Sequence, residues 1–159
     1  YARALIDSGE INSDGFIAKW QELGTLDAVG FERMQHDYIK SAYYDVACEY
    51  LRQNMFNVEK HSNALKDVVW SRAVQYGTGE IVNMFNDALK LMEKALNIEL
   101  PNLSYIDDKR FDYDLIAGIY DTCMSLEWNS SALRDSLNNR FSDEKFKALK
   151  MLMKEVEGA

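Results

Sequence analysis

The chain has 159 residues, of which 28% are charged and 47% are hydrophobic, and its formal net charge is −8. This length suits one domain with a buried core, and the composition is typical of globular rather than disordered proteins. The acidic balance argues against a nucleic-acid binder, because such proteins cluster Lys and Arg against phosphates. No apolar run reaches the roughly 18 residues that span a bilayer. We therefore expect a globular domain with no nucleic-acid partner and no transmembrane segment.

Helical patterns begin at the first residues of the chain. The first seven residues resemble the end of a helix, so the chain reads as part of a longer protein. Ser13 is placed to cap a short helix that ends at Gly24. A long helix is predicted from Asp27 to Met55, with apolar residues recurring at three- and four-residue spacing.

The segment from Ala64 to Gly77 is predicted to be the central helix around which the others pack. Ser62 precedes it as a cap, and Gly77 is suited to end it in a left-handed conformation. Five apolar side chains fall at helical spacing and predict a buried face: Leu65, Val68, Val69, Ala73 and Val74.

The rest of the chain continues the helical pattern. The sequence predicts helices over Glu80 to Asn97 and Asp112 to Ser125, a mobile loop over Glu99 to Arg110, a short helix after Asn129-Ser130-Ser131, and a terminal helix capped by Ser142. Strand signals are nearly absent, since no Asn-Gly or Asp-Gly pair joins alternating runs. The predicted fold class is all-α, a single compact multi-helix domain over residues 1–159.

Two cysteines, Cys48 and Cys123, lie within apolar helical patterns and are expected to be buried free thiols. The sequence contains no Cys/His zinc spacing, calcium loop, Walker motif or His-Glu-x-x-His helix. We therefore predict no metal and no cofactor.

His36 and Asp37 are the first candidates for proton transfer. Neighbouring residues on a helix point about 100° apart, so the two side chains cannot both face one substrate atom directly. The alternative is a polar pair that fixes helix packing. Glu10, near a loop, and Asp37 are weak catalytic candidates, because 26 acidic residues leave the choice of a carboxylate pair open.

Trp70, Ser71 and Gln75 lie within one and a half helical turns. An aromatic plane beside amide and hydroxyl groups is typical of a sugar subsite, and the alternative is a core tryptophan whose indole N–H finds a partner. Arg140 is placed to lie under a helix terminus or against a carboxylate, which indicates a structural role more often than a catalytic one.

Three segments in order resemble a known family. They are Gln35-His36-Asp37-Tyr38-Ile39-Lys40 with Tyr43-Tyr44-Asp45, then Ala64-Leu65-Lys66-Asp67-Val68-Val69-Trp70-Ser71 continuing to Val74-Gln75-Tyr76-Gly77, and finally Asn139-Arg140-Phe141. Together they are similar to the chitosanase-like domain, of the lysozyme superfamily, in phage endolysins, phage-tail lysins and VgrG-related proteins. The resemblance implies a lysozyme-like fold and hydrolysis of a glucosamine-containing polymer, above all bacterial peptidoglycan.

The same resemblance implies roles for particular residues. His36, Asp37, Trp70, Gln75 and Arg140 correspond to substrate-binding cleft or scaffold positions. The family's glutamate-bearing helix precedes the segment that matches the start of this chain, so no catalytic acid is carried over. We therefore expect residues 1–159 to be the C-terminal part of a longer lysozyme-like catalytic domain. At the positions where members of that family usually have Glu-Arg, this chain has Thr122-Cys123-Met124.

Three functional hypotheses follow. The first is the helical lobe of an extracellular or phage-associated cell-wall glycosidase, in which an acid protonates the glycosidic oxygen and a second carboxylate assists. The second is a non-catalytic helical module of a phage tail or secretion machine that binds glycan or a neighbouring subunit. The third is a chitosan-cleaving enzyme, whose acidic cleft would attract protonated amines.

Overall fold

The computed structural model describes residues 17–18, 21–22 and 28–158. Every regular element among these residues is helical and none is a strand, which confirms the all-α prediction. The chain divides into two compact units, residues 1–42 and 43–159. That the chain is a single domain stays a prediction. The short helix predicted between Ser13 and Gly24 lies outside the described residues, apart from four helical positions.

A nearly continuous helical stretch corresponds to the helix predicted from Asp27 to Met55. Helix α1 (Ala28–Ile39) leads into a π-helical turn (Lys40–Tyr44) and then helix α2 (Asp45–Gln53). The Ser41 hydroxyl donates to the backbone carbonyl of Asp37 at 2.9 Å. Such a bond competes with the backbone N–H groups for helical carbonyls, and π turns arise where this ladder is disturbed.

Four longer helices follow α2 in the second unit. They are α3 (Asn63–Tyr76), α4 (Ile81–Leu96), α5 (Asp112–Met124) and α6 (Arg134–Gly158). Short 3₁₀ turns lie between them at Val58–Lys60, Thr78–Glu80, Leu103–Ile106 and Lys109–Phe111. Helix α5 packs against both α4 and α6, and α3 packs against α6.

Helix α3 has the ends that the sequence predicts. The Ser62 side chain accepts a hydrogen bond from the Leu65 N–H at 3.1 Å, and Gly77 ends the helix with a φ of 87°. The predicted buried face is correct except at Val74, which is 44% exposed. Nine residues of helix place Val74 about half a turn from Leu65, on the opposite side.

Helix α5 is the most deeply embedded of the described helices. Its buried residues are Asp112, Leu115, Ile116, Gly118, Ile119, Tyr120, Thr122 and Cys123. A β-carbon at Gly118 would lie 3.2 Å from the Ala88 carbonyl oxygen, so glycine allows the close approach of α4. The centre of the core therefore lies at α5. The prediction that α3 is the central helix is wrong in this respect.

The last helix differs from its prediction. Helix α6 runs for 25 residues without a break, and Ser142 lies inside it rather than at a cap. No Gly or Pro interrupts the sequence between Arg134 and Gly158, so nothing in that stretch stops the helix. Along this helix Phe141 and Leu152 are buried, whereas Phe146 and Val156 are 68% and 64% exposed.

The segment from Glu99 to Arg110, predicted to be a mobile loop, lies within a connection of residues 97–111 that packs onto the core. Leu100, Leu103 and Ile106 are all buried. The Leu100 N–H also donates to the Glu93 carboxylate at 2.7 Å. Apolar burial on this scale holds a connection in place, so the polar sequence Asp107-Asp108-Lys109-Arg110 did not indicate mobility.

Candidate functional site

A buried arginine lies at the centre of the contact between α3 and α6. The Arg72 side chain is 1% exposed, and its Nη2 donates to Glu144 Oε2 at 2.8 Å. Its guanidinium carbon lies 5.1 to 5.7 Å from the ring centres of Tyr120, Phe141 and Tyr76. A charge this deeply buried needs partners, and the carboxylate and the aromatic faces supply them.

The network continues from Arg72 to the surface. Arg140 Nε donates to Glu144 Oε1 at 3.0 Å, and Arg140 Nη2 donates to Gln75 Oε1, also at 3.0 Å. Gln75 and Arg140 are both residues to which the resemblance assigns a binding role, and they come from two different segments of it. The structure therefore places these two side chains together at the exposed end of a buried polar network.

Cys123 and Tyr120, beside this network, are held in their neutral forms. Burial raises the pKa of the Cys123 thiol, although the nearby Arg72 charge opposes the rise. Burial likewise raises the pKa of Tyr120. Both groups are therefore neutral near pH 7, and a neutral thiol is a poor nucleophile. Cys48 and Cys123 are thiols that form no disulfide with each other, as expected, but Cys48 is only partly buried.

Trp70 and Ser71 lie on α3 without the features of a reactive centre. The Trp70 ring lies 5.3 Å from the Tyr44 ring, tilted by 30°, and Trp70 is partly buried against the core. The Ser71 hydroxyl donates to the Val68 carbonyl at 3.1 Å. This packing fits the alternative of a core tryptophan, and a sugar-binding role for Trp70 stays a prediction.

His36 and Asp37 lie on α1 in the first unit. Their side chains are 63% and 71% exposed, and His36 Nδ1 lies 3.6 Å from Asp37 Oδ1. An exposed pair at this distance is a weak surface ion pair. Their catalytic or binding roles stay predictions. Glu10, the other weak catalytic candidate, lies outside the described residues.

Sequence reasoning missed Arg72 and Glu144 as parts of the network. Arg72 follows Leu65 by seven residues, on the same face as Val68 and Val69. A charged residue within a buried helical face requires a partner, so this position was the available signal. Glu144 could not be paired with it from spacing, because the two residues are separated by 72 positions.

A second polar cluster, also missed, surrounds His61. The His61 side chain is fully buried, with Nδ1 2.6 Å from Asp112 Oδ1 and Nε2 2.8 Å from Asp107 Oδ1. Its ring stacks on Phe56, with ring centres 4.4 Å apart. Asp112 begins α5, where the helix dipole favours a negative charge. No local pattern links residues about 50 positions apart.

The two aspartates of this cluster shape its electrostatics. Burial by itself would lower the pKa of His61, but the hydrogen bonds to Asp112 and Asp107 outweigh it and raise that pKa. Burial would raise the pKa of Asp107, but bonds from His61, Lys60 and the Asn57 N–H lower it. Both pKa shifts favour the charged forms of His61 and Asp107 over the neutral forms.

A shallow cavity of about 230 Å³ lies where α4 meets the end of α5. Asp87, Lys90, Thr122 and Trp128 are among its lining residues. The Trp128 Nε1 donates to Asp87 Oδ2 at 2.8 Å, which fixes the indole. Among residues 17–18, 21–22 and 28–158, no group of His, Cys, Asp and Glu is arranged to hold a metal. The described helices include none long and apolar enough to cross a membrane.

Comparison with known proteins shows the protein family to which the chain belongs. Residues 5–145 match the family described as type VI secretion system spike protein VgrG3-like, C-terminal, and the chain belongs to this family. The relationship to VgrG-type proteins is thereby confirmed.

The chain is also similar to one curated protein, the type VI secretion system spike protein VgrG3 of Vibrio cholerae serotype O1. The two are 33% identical over 73 residues. That similarity covers 45% of this chain and 7% of the relative. The chain therefore spans a small fraction of the length of the curated relative that it matches.

Proposed function

We propose that the chain is a non-catalytic helical module of a type VI secretion spike protein, and that it binds cell-wall glycan through the Gln75–Arg140 end of its buried network. The family match over residues 5–145 carries the first part of this proposal. The relative's name places that protein in the secretion spike, so a spike or tail subunit is the expected assembly partner. A secreted or machine-associated location follows from the same relationship.

The chemistry at the exposed end of the network supports the glycan part. Arg140 is 55% exposed, and it already shares its donors between Glu144 and Gln75. A guanidinium and an amide held side by side present several hydrogen-bond donors to sugar hydroxyl and acetamido oxygens. Both residues belong to segments that resemble the chitosanase-like domain. Arg72 and Glu144 hold this pair from inside, which orders its geometry before a ligand arrives.

Glycan binding is tested by sedimentation of the purified chain with peptidoglycan sacculi. We expect the chain to pellet with the sacculi, and the double variant with Gln75→Ala and Arg140→Ala to bind about tenfold more weakly, as loss of one or two hydrogen bonds implies. Asp121→Asn, which removes the exposed partner of Lys145 and leaves the Gln75–Arg140 bond intact, is the matched control and should bind as the wild type does. Equal binding by all three proteins would contradict a Gln75–Arg140 binding site.

A second candidate function is the helical lobe of a peptidoglycan glycosidase. One contact favours it: the 3.0 Å bond between Arg140 and Gln75 joins two segments that resemble the chitosanase-like family. In this mechanism a carboxylic acid protonates the glycosidic oxygen, and Glu10 and Asp37 are the weak candidates for that role. Falling turbidity of a sacculus suspension would favour this function, and release of products from chitosan instead would indicate a chitosan-cleaving enzyme.

A further inference from the structure

The cluster around His61 joins three separate parts of the second unit. His61 follows the 3₁₀ turn that precedes α3, Asp107 lies in the 97–111 connection, and Asp112 begins α5. The carboxylates of Asp107 and Asp112 lie within 2.8 Å of the two ring nitrogens. The ring is thus the link through which the connection and two helices meet.

The other contacts of the two carboxylates determine where the protons lie. Asp112 Oδ2 accepts from the Ser62 N–H at 2.8 Å. Asp107 accepts from the Asn57 N–H and from Lys60 Nζ, each at 3.1 Å. With both carboxyl groups ionised, as the N–H donors around them favour, each ring nitrogen that faces them carries a proton and donates. His61 is consequently an imidazolium that donates on both sides.

The charges in the cluster balance. Two carboxylates face one imidazolium and the Lys60 ammonium, so the sum of the four charges is zero. Asp107 comes from the connection, Asp112 from α5, and Lys60 from the turn beside His61. The side chain of His61 is fully buried, so an uncompensated charge at this place would be costly. Loss of the ring proton would leave the buried Asp112 and the partly buried Asp107 facing a neutral ring with only one donor.

We propose that Asp107, His61 and Asp112 form a proton-dependent latch that holds the Asp107 end of the 97–111 connection against the start of α3, and that loss of the ring proton in alkaline solution releases this end while the buried Leu100 and Leu103 stay in the core. A neutral imidazole can donate to one carboxylate only, and its other nitrogen then repels the second. Asp107 is the carboxylate that separates from the His61 ring, because its side chain is 13% exposed and can reach water, whereas Asp112 is fully buried.

The latch is tested by NMR titration of the His61 ring, whose signals are assigned by comparison with a His36→Gln variant. We expect both ring nitrogens of His61 to remain protonated above the ordinary histidine value of about 6.5, because the two carboxylates raise the pKa of the ring. At higher pH, amide protection at the Asp107 end of the connection, corrected for the intrinsic exchange rate, should fall together with the titration of His61.

Two variants move the titration in opposite directions. Asp107→Asn removes one acceptor charge and should lower the pH of both events by about one unit. Lys60→Gln removes an exposed positive charge that competes for Asp107, and should raise both by a few tenths of a unit, roughly as a screened charge acts. The Asp121→Asn control should leave both unchanged. Titration of His61 near 6.5, or release of the connection at a pH that does not follow either variant, would overturn the proposal.

Discussion

At the scale of single residues, Arg72 shows how one buried charge organises the contact between two helices. Its guanidinium is surrounded by three aromatic rings and by Glu144, and Arg140 approaches the same carboxylate from the solvent side. Glu144 is 29% exposed, so the pair is partly screened, whereas Arg72 is not. Loss of the ion pair therefore costs more free energy through the unpaired Arg72 than through the unpaired Glu144.

Replacement of Glu144 with Gln should destabilise the fold by about 2 kcal/mol, because the buried guanidinium of Arg72 loses the carboxylate that compensates it. Urea denaturation monitored by circular dichroism measures this change. Asp121→Asn, the control, removes a salt bridge in which both partners are exposed by 29% or more, and should cost about 0.5 kcal/mol. Equal costs for the two variants would mean that Arg72 does not depend on Glu144.

Removal of the exposed part of the network should have a much smaller effect on stability. Arg140→Ala and Gln75→Ala should each cost less than about 1 kcal/mol, since both side chains are exposed. Thermal unfolding of each variant measures this. A loss of sacculus binding by these variants would then report on contact with glycan rather than on folding. A large drop in the melting temperature would contradict their placement at the exposed end of the network.

At the scale of elements, the sequence predicted helices well where their ends are set locally. Ser62, Gly77 and Asn97 cap their helices through bonds or backbone angles that involve only neighbouring residues. Ser142 carries the same kind of local signal, yet α6 passes through it without a break, because a possible cap does not end a helix that has no breaker.

The packing of the elements was harder to predict than their existence. The apolar spacing of α3 predicted four buried positions correctly, but it did not indicate that α5 lies deepest. The contact between α4 and α5 depends on Gly118. The sequence shows that this residue has no side chain, but it does not show that Ala88 lies beside it. The network of Arg72 and the cluster of His61 join residues 46 to 72 positions apart, and local patterns contain no information about such pairs.

Gly118→Ala tests the close contact of α4 and α5. The added β-carbon would lie 3.2 Å from the Ala88 carbonyl oxygen, which is backbone and cannot move by itself. We expect overpacking to outweigh the gain in helix propensity and to destabilise the fold by about 1 kcal/mol. Gly79→Ala is the matched control, because its β-carbon would have no heavy atom within 4 Å. A stabilised Gly118→Ala variant would mean that the two helices separate at little cost.

At the scale of the whole molecule, the cluster around His61 makes stability depend on pH. The pKa of His61 is raised in the folded state, so its contribution is complete below about 6.5, the unfolded value, and is lost as the pH rises through the folded value. The pKa of Asp107 is lowered, so its contribution is present above about 3.9 and is lost as the pH falls through the folded value.

Unfolding by urea at a series of pH values measures this dependence. We expect the free energy of unfolding to decline above pH 6.5 in the wild type, and the decline to be smaller in Asp107→Asn, whose histidine loses one acceptor and so has a folded pKa closer to the unfolded value. The exposed variant Asp121→Asn should follow the wild type. A wild-type profile that stays flat above neutral pH would contradict the imidazolium between the two aspartates.

The central claim, that this spike-family module binds cell-wall glycan without cleaving it, is tested most directly by one incubation with purified peptidoglycan sacculi. After centrifugation, protein in the pellet measures binding and soluble muropeptides in the supernatant measure cleavage. Our account predicts that the chain pellets with the sacculi, that the Gln75→Ala and Arg140→Ala double variant pellets about tenfold less well, and that no muropeptides are released. Release of muropeptides by the wild-type chain would contradict the account and establish the glycosidase function in its place.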